Sequence, residues 1–185
     1  LRGQDIQIAV DDTEYDKLEA FSLLFDTYFS RYLRKNVITR AEWNARAPKP
    51  NMALDPKKNH VAVHHTSGSA QSDASTIRSI QRFHMDDRSF SDIGYHFLVG
   101  NDGKVFEGRK IDYMGAHVKG HNKGSIGISG LGCLDTNACG NETDATDKMV
   151  YAMGSLIGSL CAHYGIKIAH ETVEGHKEFA GASTS

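Results

Sequence analysis

Proline is scarce in this sequence: three residues in 185, all lying between Pro48 and Pro56. That rules out a proline-rich stalk or linker and gathers the irregular backbone into one stretch. Cysteine is equally rare, at Cys133, Cys139 and Cys161. Three are too few for a disulfide framework, so a packed core must hold the fold, and the cysteines read as free thiols. Cys133 and Cys139 flank a short loop containing Gly and Asn and could bridge under oxidising conditions. No apolar run approaches the roughly 20 residues that span a bilayer, so no membrane span is expected. The chain begins at Leu1 rather than Met, and no basic segment followed by an apolar stretch marks a signal peptide. Net charge is small, −2 from 21 Lys and Arg against 23 Asp and Glu, which argues against whole-molecule attraction to nucleic acid or anionic lipid.

What is present suits one globular domain, with 39% hydrophobic and 24% charged residues. Residues 12–35 read as an amphipathic helix, acidic at its start and basic at its end, with Leu18, Phe21, Leu24, Phe25, Tyr28 and Tyr32 on one face. That face must dock on the domain or on a further protein region. Residues 36–59 read as irregular. Val61–Ala62–Val63 is a short buried-strand signature running into His64 and His65. Residues 72–86 predict a helix capped at Ser72 or Asp73, with Ile77, Ile80 and Phe83 inward. GYHFLVG (94–100) and KVFEG (104–108) predict an antiparallel pair about an Asn101–Asp102–Gly103 turn. SIGISGLG (125–132) predicts a central strand. Residues 144–164 predict the longest helix, ended by Gly165, and a last strand-like piece leads from His170 to Gly175–His176. The sum is a mixed α+β (α/β) fold: a central mixed sheet flanked by helices on its faces. The domain division expected is an N-terminal helical extension over 1–36 and one domain over 37–185.

Histidine is the unusual count, ten in all, spread over several motifs rather than in a tract. His64 and His65 end a buried strand, and strand alternation lets only one of them face a given site. His176 follows another short strand after Gly175. Well-separated strand ends that each carry a histidine can assemble a metal site, while a lone histidine of this kind is commonly structural.

Four segments occur in order at domain-scale spacing: VAVHHTSG, DIGYHFLVGNDGKVFEGR, GAHVKGHNKGSIGISGLG and EGHKEF. Together they resemble the peptidoglycan recognition protein and type 2 N-acetylmuramoyl-L-alanine amidase superfamily. ITRAEWNARAP (38–48) resembles the segment that opens the domain, and the likeness covers about residues 37–185. The resemblance implies zinc as cofactor, with His64 as first and His176 as second ligand. It implies that Tyr95 polarises the scissile carbonyl or orients the attacking water. His117 lines the substrate groove with Asn122 nearby. His65 is grouped with these groove residues, although its side of the strand favours a structural role. The family's third ligand, a Cys, is absent before the chain stops at Ser185 and is expected just after it, which makes Thr184 the counterpart of a catalytic Thr or Lys.

The implied function is zinc-dependent hydrolysis of the lactyl–L-alanine amide that joins glycan to stem peptide in bacterial peptidoglycan. The alternative is a non-catalytic peptidoglycan-binding module of the same fold. Few cysteines and no visible signal peptide lean towards a phage-encoded or bacterial lysin, such as an endolysin, acting at the bacterial cell wall.

Overall fold

The computed structural model describes residues 29–134 and 145–179. A six-stranded sheet runs in the order β1-β4-β3-β5-β2-β6. Its strands are β1 (Val37–Ile38), β2 (His60–His65), β3 (Phe97–Val99), β4 (Val105–Glu107), β5 (Ser125–Gly130) and β6 (Val173–Gly175). Only β3 and β4 pair antiparallel, across the tight turn at Gly103; the other neighbours are parallel. This is the mixed sheet that the sequence predicts. The two-residue strand β1 corrects the reading of 36–59 as wholly irregular, since Val37 and Ile38 pair with Val105 and Phe106.

Helices cover both faces. On one face lies α3 (Asp147–Tyr164), capped by the Thr146 hydroxyl, which accepts from the Met149 N–H, and ended by Gly165 at φ 66°. Alternation sends Val61, Ile126, Ile128, Phe97 and Val99 towards it, where they pack with Met149, Leu156 and Leu160. Residues 29–36 form helix α1 on this side, and Phe29 stacks on His163 with ring centroids 4.2 Å apart. The predicted helical stretch 12–28 lies outside the described residues.

On the opposite face α2 (Ala74–Arg82) starts at Asp73, whose carboxylate accepts from the Thr76 N–H at 2.8 Å. It continues into a π-helical turn, Phe83–Asp87. Six residues past Ile77, Phe83 falls about 240° round the helix, away from the buried face. Met85 is buried there and Phe83, expected inward, is 48% exposed. Ile77 of α2 packs with Trp43, Ile93, Leu98, Phe106 and Leu131. Trp43 is fully buried, and its indole N–H donates to the Glu107 carbonyl at 2.7 Å. Trp43→Ala would leave a cavity and orphan that carbonyl, so we expect a loss of about 3–5 kcal/mol in the denaturant-derived unfolding free energy.

Cys133 is disulfide-bonded, which corrects the reading of the cysteines as free thiols; Cys161 alone is free among the described residues. One bridge needs no framework, so the low count was a poor guide.

The α2 core covers the β3–β4 end of its face. Over β5, β2 and β6 the described residues on the same face are the loop 113–124 and the turn after β6, and here the polar residues gather.

Candidate functional site

Within β2, Ala62 and His64 point away from α3, and parallel register sets them beside Gly127 and Ser129 of β5. On the other side β6 pairs Val63 with Gly175, and His176 follows at once as the start of a 3-10 turn. Two residues 112 positions apart are thereby brought together: the His64 and His176 Nδ1 atoms lie 2.9 Å apart, rings at 88°. Tyr95 stands on the remaining side, its ring centroid 5.2 Å from that of His64 and its hydroxyl towards the Ser129 side chain. Arg109 fixes the turn carrying Tyr95 by donating to the carbonyls of Ile93 (2.9 Å), Met114 (2.6 Å) and Asp92 (3.1 Å).

His64 Nε2 is 3.1 Å from Nδ1 of His117. The His117 ring lies over β5 because residue 127 is glycine; a Cβ there would come within 2.4 Å of the ring. Asn122 holds this loop, its Oδ1 accepting from the N–H groups of His117 (2.8 Å) and Val118 (2.9 Å). Behind His117 is His96, fully buried. Its Nδ1 accepts from the Gly127 N–H at 2.9 Å and its Nε2 donates to the Tyr113 carbonyl at 2.9 Å, which defines a neutral tautomer. The side chain thus takes over a ladder bond from the backbone, and β3 begins only at Phe97 rather than at Gly94.

Burial sets the protonation states. It drives His64 down to about 2, helped by His117 and His176, and His96 down to about 3. Desolvation also holds His117 well below the ordinary imidazole value and lowers His84, beside Tyr95, to about 4, helped by Arg109 and Arg88. Burial raises the Tyr95 phenol, so it stays protonated at neutral pH. The result is a cluster of neutral imidazoles beside a protonated phenol.

Of the residues singled out in the sequence, His64, His176, Tyr95 and His117 converge. Asn122 spends its side-chain oxygen on the loop backbone. His65 is on the α3 side of the strand, where its Nδ1 accepts from the Leu134 N–H at 3.2 Å. Thr184 lies outside the described residues. His96 and Ser129 were missed. Ser129 was readable in principle, because the alternation of SIGISG places it with Gly127 on the face opposite Ile126 and Ile128. A groove of about 750 Å³ lies elsewhere, on the α1–α3 side, and none of the site residues lines it.

The histidine pair suits zinc by its donor chemistry. Two imidazole Nδ1 atoms turned towards each other need a proton or a cation between them. His64 and His176 would hold a zinc ion through these two nitrogens, the neutral imidazole donors that zinc favours. Among the described residues no group of three or more His, Cys, Asp or Glu could hold a metal.

The N-acetylmuramoyl-L-alanine amidase family profile (Amidase_2) matches residues 55–185, a span that contains every residue of this site. The chain belongs to this family. Its amidase-family relatives include peptidoglycan-recognition protein SC1a/b of Drosophila simulans, 44% identical over 110 residues, 56% of this chain and 59% of that protein. Human peptidoglycan recognition protein 3 is 45% identical over 102 residues, 52% of this chain and 29% of its own length. The chain thus spans less than two thirds of these curated relatives. Among solved structures, the ectodomain complex of peptidoglycan recognition proteins LCa and LCx with bound tracheal cytotoxin superposes with a TM-score of 0.68 at 31% identity, covering 80% of this chain and 87% of that one. Drosophila PGRP-LB gives 0.67 at 27% identity, covering 80% and 85%. The fold is that of the peptidoglycan recognition protein and type 2 amidase superfamily. These relatives are animal proteins, so the lean towards a phage endolysin finds no support in them.

Proposed function

We propose that this amidase-family domain binds bacterial peptidoglycan and, through a zinc ion held by His64 and His176, hydrolyses the lactyl–L-alanine amide between glycan and stem peptide. The observation that carries this reading is the pair of Nδ1 atoms 2.9 Å apart, beside a protonated Tyr95. Zinc bound there supplies a Lewis acid and an activated water at neutral pH. The third ligand would come from outside the described residues.

The protein's own groups do the rest. His64 stays neutral down to about pH 2, so its lone pair is available to a metal throughout the physiological range. The Tyr95 O–H donates to the carbonyl oxygen as negative charge grows on it. Tyr95→Phe removes the donor while keeping the ring, so turnover should fall about 100-fold with peptidoglycan binding unchanged. Release of new N-terminal alanine from purified peptidoglycan measures it, and unchanged turnover would remove Tyr95 from the chemistry.

A second reading, recognition without cleavage, is favoured by the names of the relatives, which are recognition proteins. Both readings share the ligand and place the protein at the bacterial cell wall. The disulfide at Cys133 supports an oxidising setting. Peptidoglycan co-sedimentation with no alanine release would leave the second reading standing.

A further inference from the structure

His64 has two ring nitrogens and, when neutral, one proton. Its Nδ1 faces His176 and its Nε2 faces Nδ1 of His117 at 3.1 Å. Only one arrangement leaves Nδ1 bare for a metal: the proton sits on Nε2 and is donated to His117. That requires His117 to present an unprotonated Nδ1 and to carry its own proton on Nε2, which is buried, faces the Ser125 backbone and makes no hydrogen bond of standard geometry.

The surroundings hold His117 to that task. Its ring is wedged between Gly115 and Gly127, at each of which a Cβ would come within 2.4 Å of the ring. The two acceptor contacts of Asn122 fix the backbone at residues 117 and 118. With 9% of its surface exposed, His117 has little left to offer a substrate. We propose that His117 is a positioning residue, whose Nδ1 accepts the Nε2–H of His64 and so fixes the tautomer that leaves Nδ1 of His64 open to the metal. This inference rests on the zinc reading above and gives His117 and Asn122 a purpose other than lining a groove. Metal-bound histidines commonly donate their second N–H to a carboxylate or carbonyl. An imidazole acceptor does the same work without adding negative charge to the site.

The test uses the full-length protein with His117→Phe, which removes the acceptor, and His117→Asn, whose amide oxygen can replace Nδ1. Zinc affinity is measured by competition with a chromogenic chelator, and ¹⁵N spectra of the metal-free protein report the His64 tautomer. We expect His64 protonated at Nε2, an affinity about 10–100-fold lower in His117→Phe, and recovery of most of it in His117→Asn. Equal zinc binding by parent and His117→Phe would overturn the proposal while the metal site stands. If the parent protein binds no zinc, the metal reading falls, and the spectrum judges His117 separately. A His64 protonated at Nδ1 in the parent protein overturns the proposal, whether or not His117→Phe folds.

Discussion

His176→Ala is expected to bind zinc roughly 100- to 1,000-fold more weakly than the parent protein and to lose amidase turnover, yet still to sediment with peptidoglycan. The magnitude follows from sharing about 10–16 kcal/mol of zinc binding among four ligand positions, about 2.5–4 kcal/mol each. The direction follows from the geometry, because His176 supplies one of the two nitrogens that face each other across 2.9 Å. His170 provides the control. Its side chain is 79% exposed and pairs with Glu178 rather than with the histidine cluster, so His170→Ala should change neither zinc binding nor turnover. Equilibrium dialysis followed by elemental analysis reads the first effect. Equal zinc content in both variants would separate the histidine pair from the metal.

Acidification should destabilise the metal-free protein steeply below about pH 6.5, because histidines are buried in it as neutral rings. In the unfolded chain their ordinary value is 6.5, whereas in the fold His84 sits at about 4 and His96 at about 3. Between these limits the unfolded state binds protons that the folded state refuses. Stability is therefore present in full above pH 6.5 and is lost as pH falls. Once pH is well below 6.5 each such histidine contributes about 1.4 kcal/mol per pH unit, about 3 kcal/mol for the two together. The loss from His84 levels off near pH 4 and that from His96 near pH 3. Urea unfolding in chelator at pH 7, 6, 5 and 4.5 measures the slope. His96→Asn should reduce that slope by about one proton, at a lower starting stability. A parent slope indistinguishable from zero over this range would contradict the neutral cluster.

Much of this was legible in the residues. The run VAV before His64 fixed both a buried strand and, through alternation, which of two adjacent histidines could face the site. GYHF and EGHKEF supplied Tyr95 and His176 only through resemblance, because no local pattern says that residues 64 and 176 will meet. That meeting depends on β6 pairing beside β2, a contact between distant segments. Other features left no periodic trace. The strand Val37–Ile38 is two residues long, too short to alternate. His96 looked like one more histidine in a strand, and only its two hydrogen bonds show that it completes the β5 ladder. Asn122 sat close enough to His117 to suggest a ligand contact, whereas its oxygen is committed to the loop backbone.

The most direct test of the central claim is the release of N-terminal alanine from purified peptidoglycan by the full-length protein, with its zinc content determined on the same sample. The account predicts about one zinc per chain and alanine release that stops when zinc is chelated and resumes when zinc is returned. Peptidoglycan binding without zinc and without alanine release would contradict it, and would make the domain a recognition module.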